Sequence, residues 1–156
     1  MKRNLLLSAF ISIGLMGCNS EDDSAKKDSE NNAFKAKLVG SWIYKNKIVF
    51  KNGNQEETYN YGSTICPNPY LTLNSDDTSN NVTYNADKNC DEDIDLSSWE
   101  FNNNNKEIKI TSKTDNSRLV YTLTRISEDE ITLRLDEENG EKIPENFDIL
   151  INFDKK

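Results

Sequence analysis

Histidine is missing from this chain altogether. That gap removes the commonest general base and the commonest metal ligand at neutral pH, and with them any Ser-His-Asp relay. Neither a G-x-S-x-G nucleophile turn nor a phosphate-cradling glycine loop is present. No catalytic residues are assigned, no enzyme is expected and no cofactor is called for. Positive charge is scarce too: 19 basic residues stand against 27 acidic ones, for a net charge of −8 over 156 residues. Nucleic acid is excluded as a partner, because phosphate binding needs a basic surface. Apolar residues make up only 35% of the chain, yet they recur in clusters between polar stretches. That distribution suits a single small core with long wet loops.

Long hydrophobic runs are also lacking. The longest apolar run, Leu5 to Met16, covers 12 residues, whereas a membrane-crossing helix needs roughly 20. Lys2 and Arg3 precede it and Gly17 follows it, so residues 1–17 read as a secretory signal peptide. Leu15-Met16-Gly17-Cys18 resembles the lipobox of bacterial lipoprotein precursors. The resemblance implies cleavage before Cys18, a lipid on its sulfur and acylation of the new amine, for instance by palmitate. Several chains on one residue hold a protein at a membrane where one chain binds only marginally. Cleavage would remove two basic residues and no acid, leaving the mature chain more acidic still.

Residues 18–33 contain no aromatic residue and no aliphatic one larger than alanine. They read as the lipidated cysteine followed by a flexible acidic tether. Within it, Ser20-Glu21-Asp22-Asp23 resembles the surface-export signal of Bacteroidota lipoproteins. The implied location is the outer membrane, lipid-anchored and facing the cell surface, with the periplasm as the alternative.

Residues 34–156 carry the period-two pattern of half-buried antiparallel strands. "RLVYTLTRI" alternates Leu119, Tyr121 and Leu123 with Val120, Thr122 and Thr124; "EITLRLD" aligns Ile131, Leu133 and Leu135. "NFDILINF" aligns Phe147, Ile149, Ile151 and Phe153; "KEIKIT" offers Ile108 and Ile110; "SSWEF" offers Trp99 and Phe101. "YLTLN" presents Leu71 and Leu73, "NVTYN" presents Val82 and Tyr84, and "SDDTSN" between them reads as a hairpin loop. "GSWIYKNKIVF" is a long first strand bent near Asn46, and "ETYNY" adds a short one. Asn, Asp, Gly and Ser clusters separate these runs. Eight or nine strands in this length fit an all-β domain, a small antiparallel barrel or a sandwich.

The opening Leu38-Val39-Gly40-Ser41-Trp42, the flanking cysteines and the strand around Trp99 together resemble the lipocalin-like domains of Bacteroidota lipoproteins. Ser98 stands where that group often has glycine. The resemblance implies a barrel of about eight strands and a non-catalytic binding module for a small apolar or amphipathic ligand. Trp42, Tyr44, Tyr84, Trp99 and Tyr121 are its candidate lining. Two other roles remain: a filled barrel acting as an envelope interaction or assembly protein, and a carbohydrate-binding sandwich of a glycan uptake system.

With Cys18 lipidated, Cys66 and Cys90 are an even pair in an exported chain, and a disulfide between them is expected. "CDEDIDLSSW" spaces Asp91, Asp93 and Asp95 like the start of a calcium loop. The glycine and the bidentate glutamate that such a loop needs are replaced by Leu96 and Asn102. The stretch therefore reads as an acidic solvated loop, and no metal site is assigned.

Overall fold

The structure, a computed structural model, describes residues 33–62 and 65–156. The signal segment, Cys18 and the Ser20–Asp23 export signal lie outside the described residues. Ten strands follow a helical segment over residues 33–38. They are β1 (Gly40–Lys51), β2 (Asn54–Asn60), β3 (Tyr70–Leu73), β4 (Thr78–Asn85), β5 (Asp91–Asn102), β6 (Glu107–Ser112), β7 (Arg118–Ile126), β8 (Glu130–Glu138), β9 (Glu141–Lys142) and β10 (Phe147–Lys155).

Eight of these close on themselves in the order β1-β3-β4-β5-β6-β7-β8-β10, with β10 pairing both β8 and β1. Every pairing is antiparallel. The domain is thus an all-β, eight-stranded antiparallel barrel, and the sandwich alternative is set aside by its closure. Closure leaves no sheet edge along the wall. The extra strands β2 and β9 are hairpin partners of β1 and β8. Both hairpins turn on Asn-Gly pairs, Asn52-Gly53 with φ 51 and 78 and Asn139-Gly140 with φ 54 and 87. Such a pair accepts the left-handed angles of the tightest hairpin turn at little steric cost.

β1 bends where expected. Its register against β10 slips between Tyr44 and Asn46, so Lys45 is an extra residue that swings outward to Glu130 and Asp154, at 3.3 and 3.1 Å. A bulge of this kind curves a strand around a barrel.

The expected strand faces are largely those observed. Ile131, Leu133 and Leu135 are buried, as are Ile108, Ile110, Leu71, Leu73, Trp99, Ile151 and Phe153. Two assignments change. Asp91 to Asp95 do not form a loop; they are the first half of β5, paired residue for residue with Asn85 to Asn81 of β4. A strand needs only backbone partners, and here the charged side chains remain largely exposed and solvated at the barrel rim. The "SDDTSN" loop shrinks likewise to a turn over residues 74–77, because Thr78 to Asn80 already belong to β4.

One end of the barrel is plugged. The 33–38 segment lies across it, with Leu38 fully buried and Phe34 stacked on Phe101 at 6.1 Å. The other end carries the β1–β2 hairpin, the described residues 65–69 that lead into β3, and the β4–β5 connection. A Cys66–Cys90 disulfide, Cα–Cα 5.4 Å, ties these last two together.

Candidate functional site

Two of the aromatic residues expected to line a pocket belong to the plugged end. The Trp42 indole is fully buried and donates to the Leu38 carbonyl at 2.8 Å; Trp99 is fully buried and donates to the Asn74 carbonyl at 2.8 Å. Each ring carries a lysine ammonium, Lys155 over Trp42 and Lys35 over Trp99, 5.0 and 5.1 Å from the ring centres. Buried indoles with satisfied N–H groups pack a core. These two fill the lower half of the barrel together with Leu38, Leu73, Ile131 and Phe153.

Tyr44 and Tyr121 lie on the inward side of the wall toward the other end, the mouth. Tyr44 is opposite Phe153 in the ladder, and its ring centre lies 4.5 Å from that phenyl. From Tyr44 a chain of rings leads outward: Tyr61 at 5.0 Å, then Tyr59 at a further 5.3 Å. Exposure rises along it until Tyr59 is 58% accessible. Burial pushes the Tyr44 phenol far above the ordinary tyrosine range, with nearby Tyr61 adding to the shift. Tyr121 is raised by burial first, then by Tyr44, Tyr61 and Glu138. Tyr61 is raised by burial and by Tyr59. The shared influences place these rings in one cluster.

Facing the tyrosines, the β4–β5–β6 wall turns polar on its inward side. Ladder partners point the same way, so the buried residues Leu73, Ser79 and Ser97 share the interior, and so do Leu71, Asn81 and Asp95. The Tyr44 hydroxyl donates to Asn81 Oδ1 at 3.1 Å, joining the two walls. Asp95 accepts from Ser97 Oγ at 3.1 Å and from Ser112 Oγ at 2.8 Å. Ser97 and Ser112 are buried, whereas Asp95, Asn81, Tyr44 and Tyr61 are only partly so; the mouth is open to this depth. Ser79 Oγ is fully buried with no hydrogen-bond partner among the described residues.

Tyr84 is placed differently. It pairs with Glu92 on the opposite side of β4 from Asn81 and donates to that carboxylate at 3.4 Å on the barrel's outer surface. Val82, read from sequence as sharing its inward face, also belongs to the outer row. That row runs Ile43, Tyr70, Val82, Ile94 across four strands. The β3 register decides this: Leu71 and Leu73 claim the interior, and the alternate residues of β4 follow them.

Sequence reading missed Ser79, Asn81, Asp95, Ser97 and Ser112 as a group, and Tyr61 with them. The usable signal was parity: 79 and 81 on β4, and 95, 97 and 99 on β5, alternate with outward residues. Among the described residues no group of three or more His, Cys, Asp or Glu is arranged for a metal. A shallow polar depression at the rim is lined by Thr111, Asp115, Asn116, Ser117, Arg118, Asn139 and Gly140. Its two turns are bonded to each other, Asn139 N–H to the Arg118 carbonyl and Arg118 N–H to Asn139 Oδ1.

No protein-family model matches this chain, and no curated protein matches it. Among solved structures it is similar to a de novo designed fluorescence-activating β-barrel at 12% sequence identity. The match covers 76% of this chain and 93% of that one, with a TM-score of 0.43.

Proposed function

We propose that this protein is a lipid-anchored, non-catalytic binding module that holds its barrel mouth away from the membrane to take a small amphipathic ligand. The observation that carries the binding role is the mouth itself. Inward-facing Tyr44, Asn81 and Asp95 stay partly accessible above a core that is otherwise sealed. Apolar ring faces beside a few convergent polar groups are the usual make-up of a small-molecule site. The proposed tether enters at the plugged end, so an anchor at Cys18 would leave the mouth on the distal side.

Two measurements test the two halves. Titration of the isotope-labelled domain with 1-octanol, followed by amide NMR, should shift residues around Tyr44, Tyr61 and Tyr121 and spare Trp42. In cells fed an alkyne fatty acid, the full-length chain should take up label, and Cys18→Ser should not.

A second reading rests on the outer row. Ile94 and Leu96 are 50% and 53% accessible on the outer face of β5, an exposed apolar pair suited to a protein partner. Octanol shifts confined to that pair would favour an envelope interaction role over a ligand in the mouth.

A further inference from the structure

We infer that the mouth recognises an organic ammonium: a positively charged amine head carried on an aromatic or aliphatic body. This deepens the binding role proposed above and rests on it. The first ground is Asp95. Its carboxylate faces the interior, partly buried, and its partners are the neutral hydroxyls of Ser97 and Ser112. It enters no ion pair among the described residues, although carboxylates elsewhere on the barrel do find lysines or arginines, such as Asp77 with Lys35 and Glu137 with Arg118. A partly buried carboxylate held by neutral hydroxyls offers its oxygens to a cation supplied from outside.

The second ground is how this chain treats its aromatic rings. Trp42, Trp99, Phe34, Phe147 and Tyr70 each have a lysine ammonium over the ring, as close as 3.3 Å at Tyr70. Among the described residues Phe50, Tyr84, Phe101 and Phe153 have none, nor do Tyr44, Tyr59, Tyr61 and Tyr121. The electron-rich faces of the last four are clustered around the mouth, where a cation is attracted most strongly once desolvated. Lys47 shares the inward side of β1 with Val49, as its pairing with Ile151 shows, but it makes no ion pair among the described residues. Inward-parity Asp93, Asp95, Glu57 and Glu138 outnumber it.

Ser79, buried beside Ser97 one ladder step below Asn81 and Asp95, has no hydrogen-bond partner among the described residues, but its hydroxyl is sealed from the mouth and takes no part in the site. A bare divalent ion fits less well, because it demands several carboxylate or carbonyl oxygens and gains nothing from tyrosine rings.

The test compares phenethylammonium with 2-phenylethanol, a neutral analogue of similar shape, on the intact domain by calorimetry and amide NMR. The amine should bind about tenfold or more tightly than the alcohol, with shifts at Asp95, Ser97, Asn81 and Tyr44. Asp95→Asn, checked for an unchanged fold by its NMR spectrum, should erase that preference. If the preference survives in Asp95→Asn, or the alcohol matches the amine on the unaltered protein, the ammonium inference is overturned. Equal binding of both probes at the mouth would still leave the amphipathic-ligand reading standing. Absence of mouth shifts with either probe, and with octanol, would overturn both.

Discussion

Single side chains in this barrel differ sharply in what they are worth. Trp42 is fully buried, hydrogen-bonded and covered by Lys155. Trp42→Ala should cost about 3–5 kcal/mol of unfolding free energy, for lost transfer energy and the cavity left behind. Ser79 is equally buried but has no partner for its hydroxyl among the described residues. Removing a polar group that is desolvated and unbonded returns free energy, so Ser79→Ala should raise stability by roughly 1 kcal/mol. Urea melts of the two variants check both signs. The tyrosines make a pH statement. Tyr44 and Tyr121 titrate above their ordinary value in the fold, so the folded state binds these protons more tightly than the unfolded chain. Their contribution is present in full below about pH 10 and is lost as pH rises through the folded values. Ultraviolet phenolate absorbance should therefore show Tyr44 and Tyr121 ionising only as the protein unfolds in alkali. At this scale the sequence was only partly readable. Trp42, Tyr44, Trp99 and Tyr121 were identifiable as inward residues, but which end of the barrel each served depends on contacts that no local pattern encodes.

Elements were more legible than residues. β6, β8 and β10 followed from alternation alone, since each buries one face more than the other; β7 followed from it too, although its bulge buries Val120 beside Tyr121. The bulge at Lys45 was signalled by a long strand whose parity fails near Asn46. The Asn-Gly turns at 52–53 and 139–140 went unused in the sequence reading; "ETYNY" marked part of β2, whereas β9 buries nothing and has no face to read. β5 was misjudged for the opposite reason. Its first half is rich in aspartate, which is poor strand material on propensity, and the pairing with β4 overrides that preference. The disulfide joins the connections on either side of β3 and β4. It closes a span of 24 residues in sequence, and cutting it should cost about 3 kcal/mol by releasing the unfolded chain. Paired Cys66→Ser and Cys90→Ser substitutions should lower the melting temperature by several degrees. Peptide mapping without reductant should yield one Cys66–Cys90 fragment.

For the molecule as a whole, closure through β10 is the organising fact, and it could not be read from any one segment. Composition bounded the answer to a small β domain; the choice between barrel and sandwich depends on whether the last strand meets the first. The same scale decides the surface reading. Protease added to intact cells should remove the domain if Ser20 to Asp23 direct it outward, and should spare it until lysis if the domain faces the periplasm.

Strand β10 also has a consequence in time. It is synthesised after β1 to β9, yet it must sit between β1 and β8, so Trp42 meets Lys155 only once those nine strands exist. Pairings this distant along the chain slow folding, to milliseconds or longer for small β proteins. Until they form, β1 and β8 are each left with an unpaired edge, and unpaired edges recruit strands from other chains. A chain ending before Phe147 would thus fail as a pair of sticky seams rather than as a loosened barrel. Stopping synthesis at residue 146 should give aggregates that sediment, where a cut confined to the β8–β9 hairpin should leave a soluble domain.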